Sequence, residues 1–215
     1  CDTTNQIKIK RILKETQNTK IKFGYKFGLE FLNSLNGRKY LATLKNKITF
    51  GDYKLADIPN TCASTIEAVK DLKFNYITIH ISAGLEALKA AKKVSGTTKL
   101  IGVTILTSLS NKTLKEIGFQ KDLKKLVLHQ AKLAAKVNLD AIVCSPHEIK
   151  IVKKVFNKEI ITPGVRFTSD NANDQKRVMS PKNAFLNGAT SIVMGRSIIN
   201  GNLKKNIQKL IKELS

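Results

Sequence analysis

Asp52, Lys54 and Asp57 place an acid, a base and a second acid in one short stretch, Phe50-Gly51-Asp52-Tyr53-Lys54-Leu55-Ala56-Asp57-Ile58-Pro59-Asn60-Thr61. The stretch follows apolar Ile48 and breaks at Pro59, the pattern of a strand that ends in a loop. Side chains two apart on a strand share a face, so Asp52 and Lys54 point the same way; the period alone does not orient Asp57. Charges crowded at a strand end lose solvation. Two readings stand at this point, a surface salt bridge and a proton-transfer site in which carboxylates hold a lysine protonated.

The surrounding elements decide what else can join these residues. Ile7, Ile9, Ile12 and Leu13 mark an opening helix. Residues 22–27 read as a strand, and 28–35 as a helix closed by Asn36-Gly37. Asn60-Thr61 are in place to cap a helix carrying Ile66, Val69 and Leu72. Strands then alternate with helices: strand 76–81, helix 85–94, strand 99–106, a long helix 123–137, strand 141–144, helix 147–156 and strand 160–162. A polar loop covers 166–174, Pro181 opens a helix that stops at Asn187-Gly188, and strand 191–194 leads to a last helix, 203–214. These are seven strand–helix repeats after an opening helix. With the chain opening at Cys1, the first strand reads as truncated. The pattern predicts a single-domain (β/α)8 TIM barrel over residues 1–215, with an open doubly wound sheet as the alternative.

Barrels of this kind carry their active sites where the strands end. The polar residues predicted there are Asp2 after the truncated strand, Lys26 after the next, and then Asp52, Lys54 and Asp57. Thr107 and Ser108 follow a later strand, and Thr162-Pro163-Gly164-Val165-Arg166 and Gly195-Arg196 follow the last two. Two lysines among aspartates form an alternating charge array. Ser191-Ile192-Val193-Met194-Gly195-Arg196-Ser197 has the chemistry of a phosphate grip: a glycine that admits close approach, a guanidinium fork and a helix start.

Net charge is +22, which raises the question of a nucleic-acid partner. The positive residues are 33 lysines and only 5 arginines, spread over nearly every predicted helix, and no aromatic platform interleaves them. Solvated helix faces account for the charge, and attraction of an anionic substrate follows from it; no nucleic acid is expected, and a basic RNA-binding protein is the alternative from a different class. No apolar run approaches the ~20 residues of a membrane span, so no membrane is expected. Cys1, Cys62 and Cys144 offer neither a disulfide framework nor a metal cluster, and the cytoplasm is the expected compartment. His80 alternates with Thr78 and Ser82 and reads as a barrel residue. Asp170, Asn171, Asn173 and Asp174 lack the spacing of a calcium loop and read as a lid.

Taken together, these motifs resemble the orotidine 5′-monophosphate decarboxylase family. The hallmark is Asp-x-Lys-x-x-Asp followed by Ile-Pro-Asn-Thr, here Asp52 to Thr61. Further matches are Tyr25-Lys26-Phe27-Gly28-Leu29-Glu30, Ile79-His80-Ile81-Ser82-Ala83-Gly84, Val103-Thr104-Ile105-Leu106-Thr107-Ser108 and Val143-Cys144-Ser145-Pro146. Thr162 to Arg166, Asp174-Gln175-Lys176-Arg177-Val178 and Gly195-Arg196 complete a resemblance that spans the chain and is similar to the shorter bacterial form.

The resemblance implies that Lys54 donates a proton to C6 of the pyrimidine and that Asp52 lies against the substrate carboxylate. It implies that Lys26 completes the network near the ribose and that Asp2 binds a ribose hydroxyl. Thr107 or Ser108 would contact the pyrimidine. Arg166, Gln175, Gly195 and Arg196 would bind the phosphate, with Gln175 on a closing loop, and Pro163 would be among the substrate-binding residues. Asp57, with Ile58 and Thr61, would enter the site of a second copy in a homodimer. Neither metal nor organic cofactor is implied. Gly51 and Ala56 depart from the family's commoner residues, and the expected consequence is altered packing around the strand end. The rivals within the superfamily are the magnesium-dependent 3-keto-L-gulonate 6-phosphate decarboxylase and hexulose phosphate synthase. These carry a glutamate where this chain has Lys26.

Overall fold

A computed structural model describes residues 1–168 and 178–215. Its centre is a sheet of seven parallel strands in consecutive order: β1 (Tyr25–Phe27), β2 (Thr49–Leu55), β3 (Tyr76–His80), β4 (Lys99–Val103), β5 (Ala141–Val143), β6 (Glu159–Thr162) and β7 (Ser191–Ile192). A doubly wound sheet reverses its strand order part-way; this one never does, which removes that alternative. Helices connect the strands: α1 (Gln6–Glu15), α2 (Leu29–Leu32), α3 (Gly37–Ala42), α4 (Pro59–Ala68), α5 (Leu85–Val94), α6 (Asn111–Glu116), α7 (Leu123–Lys136), α8 (Ile149–Lys153), α9 (Pro181–Leu186), α10 (Arg196–Ile199) and α11 (Leu203–Leu214). From opposite ends of the chain, α1 and α11 meet.

The long helices form for reasons visible in the residues. Asp122 opens α7 by accepting a hydrogen bond from the Lys125 N–H, and Leu123, Leu126, Val127, Ala131 and Ala134 make its buried stripe. Asn5 and Asn202 cap α1 and α11 in the same way.

Strand alternation divides the apolar residues between two faces. Ile77, Ile79, Leu100, Ile142 and Ile160 pack outward with the helices in the main core. Phe50, Ile101, Ala141 and Ile161 form a separate inner cluster. By the same alternation Lys26, Asp52, Thr78 and His80 belong to the inner face. At the opposite, N-terminal end of the strands, the Tyr76 hydroxyl donates to Glu159 at 3.0 Å, and Lys99 pairs with that same carboxylate.

Several expectations need correction. Residues 1–5 form no strand; the Cys1 amino group donates to the Lys26 carbonyl at 2.8 Å, so this segment runs beside β1 without joining the sheet. Gly37 does not close a helix but opens α3, where a side chain would strike the Phe31 carbonyl oxygen 2.1 Å away. Asn60 and Thr61 lie inside α4, whose N-cap is Ile58 and whose first residue is Pro59, the position where proline's missing N–H costs nothing. Polar α6 was not foreseen, because it shows only Leu114 as a buried residue.

Candidate active site

The C-terminal ends of β1, β2 and β3 bring the charges together. Lys26 Nζ and Lys54 Nζ each lie 2.7 Å from the same oxygen, Oδ2 of Asp52. The Asp52 side chain is 9% exposed, whereas those of Lys26 and Lys54 are 26% and 33% exposed, so the carboxylate is buried beneath two ammoniums that still reach the opening. Burial alone would push the Asp52 carboxyl up, but the two ammoniums and their hydrogen bonds outweigh it and hold the group below its ordinary value. Asp52 is therefore ionised at neutral pH. His80, half-buried on β3, has its pKa lowered by burial and by Lys54, with Asp52 opposing.

Lys54 reaches Asp52 by an unusual route. Its φ is 49°, in the left-handed region where a non-glycine residue is strained. The β2–β3 register breaks at this point: β2 advances from Gly51 to Leu55 while β3 advances only from Ile77 to Ile79. The bulge removes Lys54 from the regular ladder, and its N–H donates to the Thr78 hydroxyl at 2.8 Å. That hydroxyl also bonds Asp52 Oδ1 at 3.1 Å.

The other expected residues gather at the same end with different degrees of completeness. Asp2 is exposed and rests against Gly28, at the end of β1. Thr107 is half-buried and Ser108 exposed, in the turn after β4. Beyond β6, Pro163 is half-buried and Arg166 buried; the Arg166 N–H donates to the Met179 carbonyl at 3.1 Å. The Phe167 N–H donates to Ser197 Oγ at 3.3 Å, which ties the Arg166 segment to the start of α10. Gly195 and Arg196 are exposed there, and open space surrounds the position of a Cβ at Gly195. Arg166 and Arg196 thus belong to adjoining segments. Gln175 falls outside the described residues.

Asp57 does not join the array within its own protomer. Its carboxylate accepts from the Ile58 N–H at 2.7 Å, and among the described residues both lysines pair with Asp52. Asp57, Ile58 and Thr61 are all exposed, Ile58 to 65%. Among the described residues no three His, Cys, Asp or Glu side chains gather where they could hold a metal ion. No helix among those residues is long and apolar enough to cross a membrane.

The model of the orotidine 5′-phosphate decarboxylase / HUMPS family matches residues 2–209. The chain belongs to that family. An orotidine 5′-phosphate decarboxylase of Wolbachia sp. subsp. Brugia malayi is 45% identical over 199 residues, covering 88% of this chain and 87% of the relative. The enzyme of the same name from Ehrlichia chaffeensis is 44% identical over 180 residues, covering 80% of this chain and 77% of its own. The crystal structure of orotidine 5′-phosphate decarboxylase from Lactobacillus acidophilus superposes with a TM-score of 0.83 at 29% identity, over 100% of this chain and 96% of that one. The seven-stranded parallel sheet is therefore the TIM-barrel-like architecture of this family.

Three participants in the site escaped sequence reading. Thr78 carries a hydroxyl in mid-strand among isoleucines, a signal that a buried polar group has a partner to satisfy. Gly28 and Ser197 stand beside motif residues, but nothing in their type announced the contacts they make.

Proposed function

We propose that this chain decarboxylates orotidine 5′-monophosphate to uridine 5′-monophosphate in de novo pyrimidine synthesis, with no metal or organic cofactor. The observation that carries the reading is the sharing of one buried Asp52 oxygen by the ammoniums of Lys26 and Lys54. A substrate carboxylate brought beside Asp52 meets like charge, and losing carbon dioxide relieves that contact. The electron pair of the broken C–C bond remains on C6 of the pyrimidine. Lys54 Nζ supplies the proton that C6 takes up, and the lysine recovers its own from water. Asp52 holds the Lys54 ammonium in place until then, its Oδ2 2.7 Å from Nζ.

The remaining roles follow the strand ends. Asp2 and Lys26 hold the ribose, and Thr107 and Ser108 contact the pyrimidine. Pro163 lines the substrate site, Arg166, Gly195 and Arg196 bind the phosphate, and Gln175, outside the described residues, is assigned to the phosphate as well. Binding energy at the phosphate, remote from C6, is expressed in the transition state. Asp57, Ile58 and Thr61, exposed in the protomer, complete the site of a second copy, which makes the enzyme a homodimer. The (β/α)8 reading is supported by the opening segment, whose Cys1 amino group donates to the Lys26 carbonyl of β1 at 2.8 Å. A cytoplasmic location fits a phosphorylated nucleotide substrate.

The test follows the ultraviolet absorbance of orotidine 5′-monophosphate with purified protein, wild type beside Lys54→Ala, with and without EDTA. Turnover that survives EDTA and disappears in the variant supports the reading. Absence of turnover in the wild type or undiminished turnover in the variant overturns it, and loss of activity to EDTA overturns its metal-free part.

A further inference from the structure

Thr78 is completely buried on β3 and directly opposite the bulge in β2. A regular parallel ladder would give the Lys54 N–H a backbone acceptor, but the register shift takes it away. The Thr78 hydroxyl replaces that acceptor at 2.8 Å. Its own proton goes to Asp52 Oδ1, 3.1 Å away. One hydroxyl therefore spends its acceptor on the backbone of Lys54 and its donor on the carboxylate that Lys54 pairs with.

The consequence for geometry is specific. With Oδ1 engaged by Thr78, the carboxylate cannot rotate freely, and Oδ2 is left for both ammoniums. With its N–H engaged, Lys54 is held at φ 49°, a conformation that is strained for a non-glycine residue and persists only where the surroundings enforce it. Release of that N–H lets residue 54 return to extended backbone, which re-aims its side chain. We infer that Thr78 is a positioning residue for the decarboxylation: its hydroxyl locks the Lys54 backbone and the Asp52 carboxylate into a single arrangement. This rests on the decarboxylase reading for its kinetics but not for its geometry.

Thr78→Val keeps the shape and β-branching of the side chain and removes both hydrogen bonds. Burying the Lys54 N–H and Asp52 Oδ1 without a partner is expected to lower kcat by about tenfold to a hundredfold. The KM for orotidine 5′-monophosphate should stay within about twofold, because the phosphate contacts and Asp2 lie elsewhere and Lys26 keeps Asp52 Oδ2 as its partner. Thr78→Ser, which retains the hydroxyl, should restore kcat. A hydroxyl that merely stabilised the strand would leave kcat of the folded enzyme unchanged. Should the valine variant fail to fold, Thr78→Cys takes its place with the same expected split, since a thiol is a weak donor and acceptor.

Crystal structures of wild type and variants read the positioning without reference to turnover. The expected result is positive φ at residue 54 with Nζ on Asp52 in wild type and Thr78→Ser, and departure of residue 54 from the left-handed region in Thr78→Val. Retention of that geometry in the valine variant, or wild-type kcat in it, overturns the inference. An inactive wild type with the expected crystallographic change overturns only the decarboxylase reading.

Discussion

The Asp2 carboxylate occupies the space that a side chain at Gly28 would need, with Oδ1 2.3 Å from the position of an ideal Cβ. The backbone of Gly28, at φ −86°, is one that any residue adopts, so the glycine is required by the approach of Asp2 and not by its own conformation. Gly28→Ala should displace Asp2 and raise KM by about tenfold, with a smaller change in kcat, as expected for a lost hydrogen bond between a charged group and the ribose. The double variant Asp2→Ala, Gly28→Ala should be no worse than Asp2→Ala alone, because both remove the same contact. Additive losses in that cycle would count against the coupling.

Asp52 connects the site to acid stability. Its folded pKa is lowered, so the stabilisation it contributes is fully present above the ordinary carboxylate value of about 3.9 and is lost as pH falls through the folded value. Asp52→Asn should therefore be less stable than wild type at neutral pH, with two ammoniums left facing an uncharged amide. The difference in urea midpoint should hold constant from pH 7 down to about 5 and shrink below about 4. A difference that stays flat to the acid limit would mean that the ion pairs contribute nothing to folding.

The fold was legible where apolar periodicity was strong. The runs at Tyr76–His80 and Lys99–Val103 and the stripe of α7 appear at the predicted places. Legibility failed where a local signal had two meanings. Asn36-Gly37 has the composition of a helix stop, yet the chain uses the glycine for close contact with Phe31. Proline at the first helical turn starts α4 before the expected asparagine cap. The convergence of Lys54 on Asp52 was foreseen from simple alternation, but a bulge and a left-handed residue bring it about. Hydrogen bonds between neighbouring strands, such as the pair made by Thr78, depend on register, which one strand's sequence does not contain.

Gly51 explains itself through its neighbours. A Cβ there would lie 2.9 Å from Tyr53 Cε2 and 3.2 Å from Phe74 Cε2, and those two rings pack edge-on with centroids 6.0 Å apart. The glycine accommodates the Tyr53–Phe74 pair, whereas Ala56, the other departure, is exposed. Gly51→Ala should cost about 1–3 kcal/mol by overpacking, measured by urea denaturation. Adding Tyr53→Leu, which removes the nearer ring, should recover part of the loss if the clash is with that ring. Equal destabilisation with and without the second change would place the strain in the backbone.

The exposed Asp57 makes the sharing of the site between two copies testable. Lys54→Ala and Asp57→Asn should each be severely impaired as homodimers. If Asp57 serves the partner's site, a heterodimer of the two variants contains one site with both native residues and one with neither. Co-expression with two different tags and sequential purification isolates that heterodimer, and its activity should be about half the wild-type value per dimer. If instead Asp57 served its own protomer, one site of the heterodimer would lack the lysine and the other the aspartate. Activity would then stay at the level of the single variants, and the proposal of a shared site would fall while Lys54 kept its role.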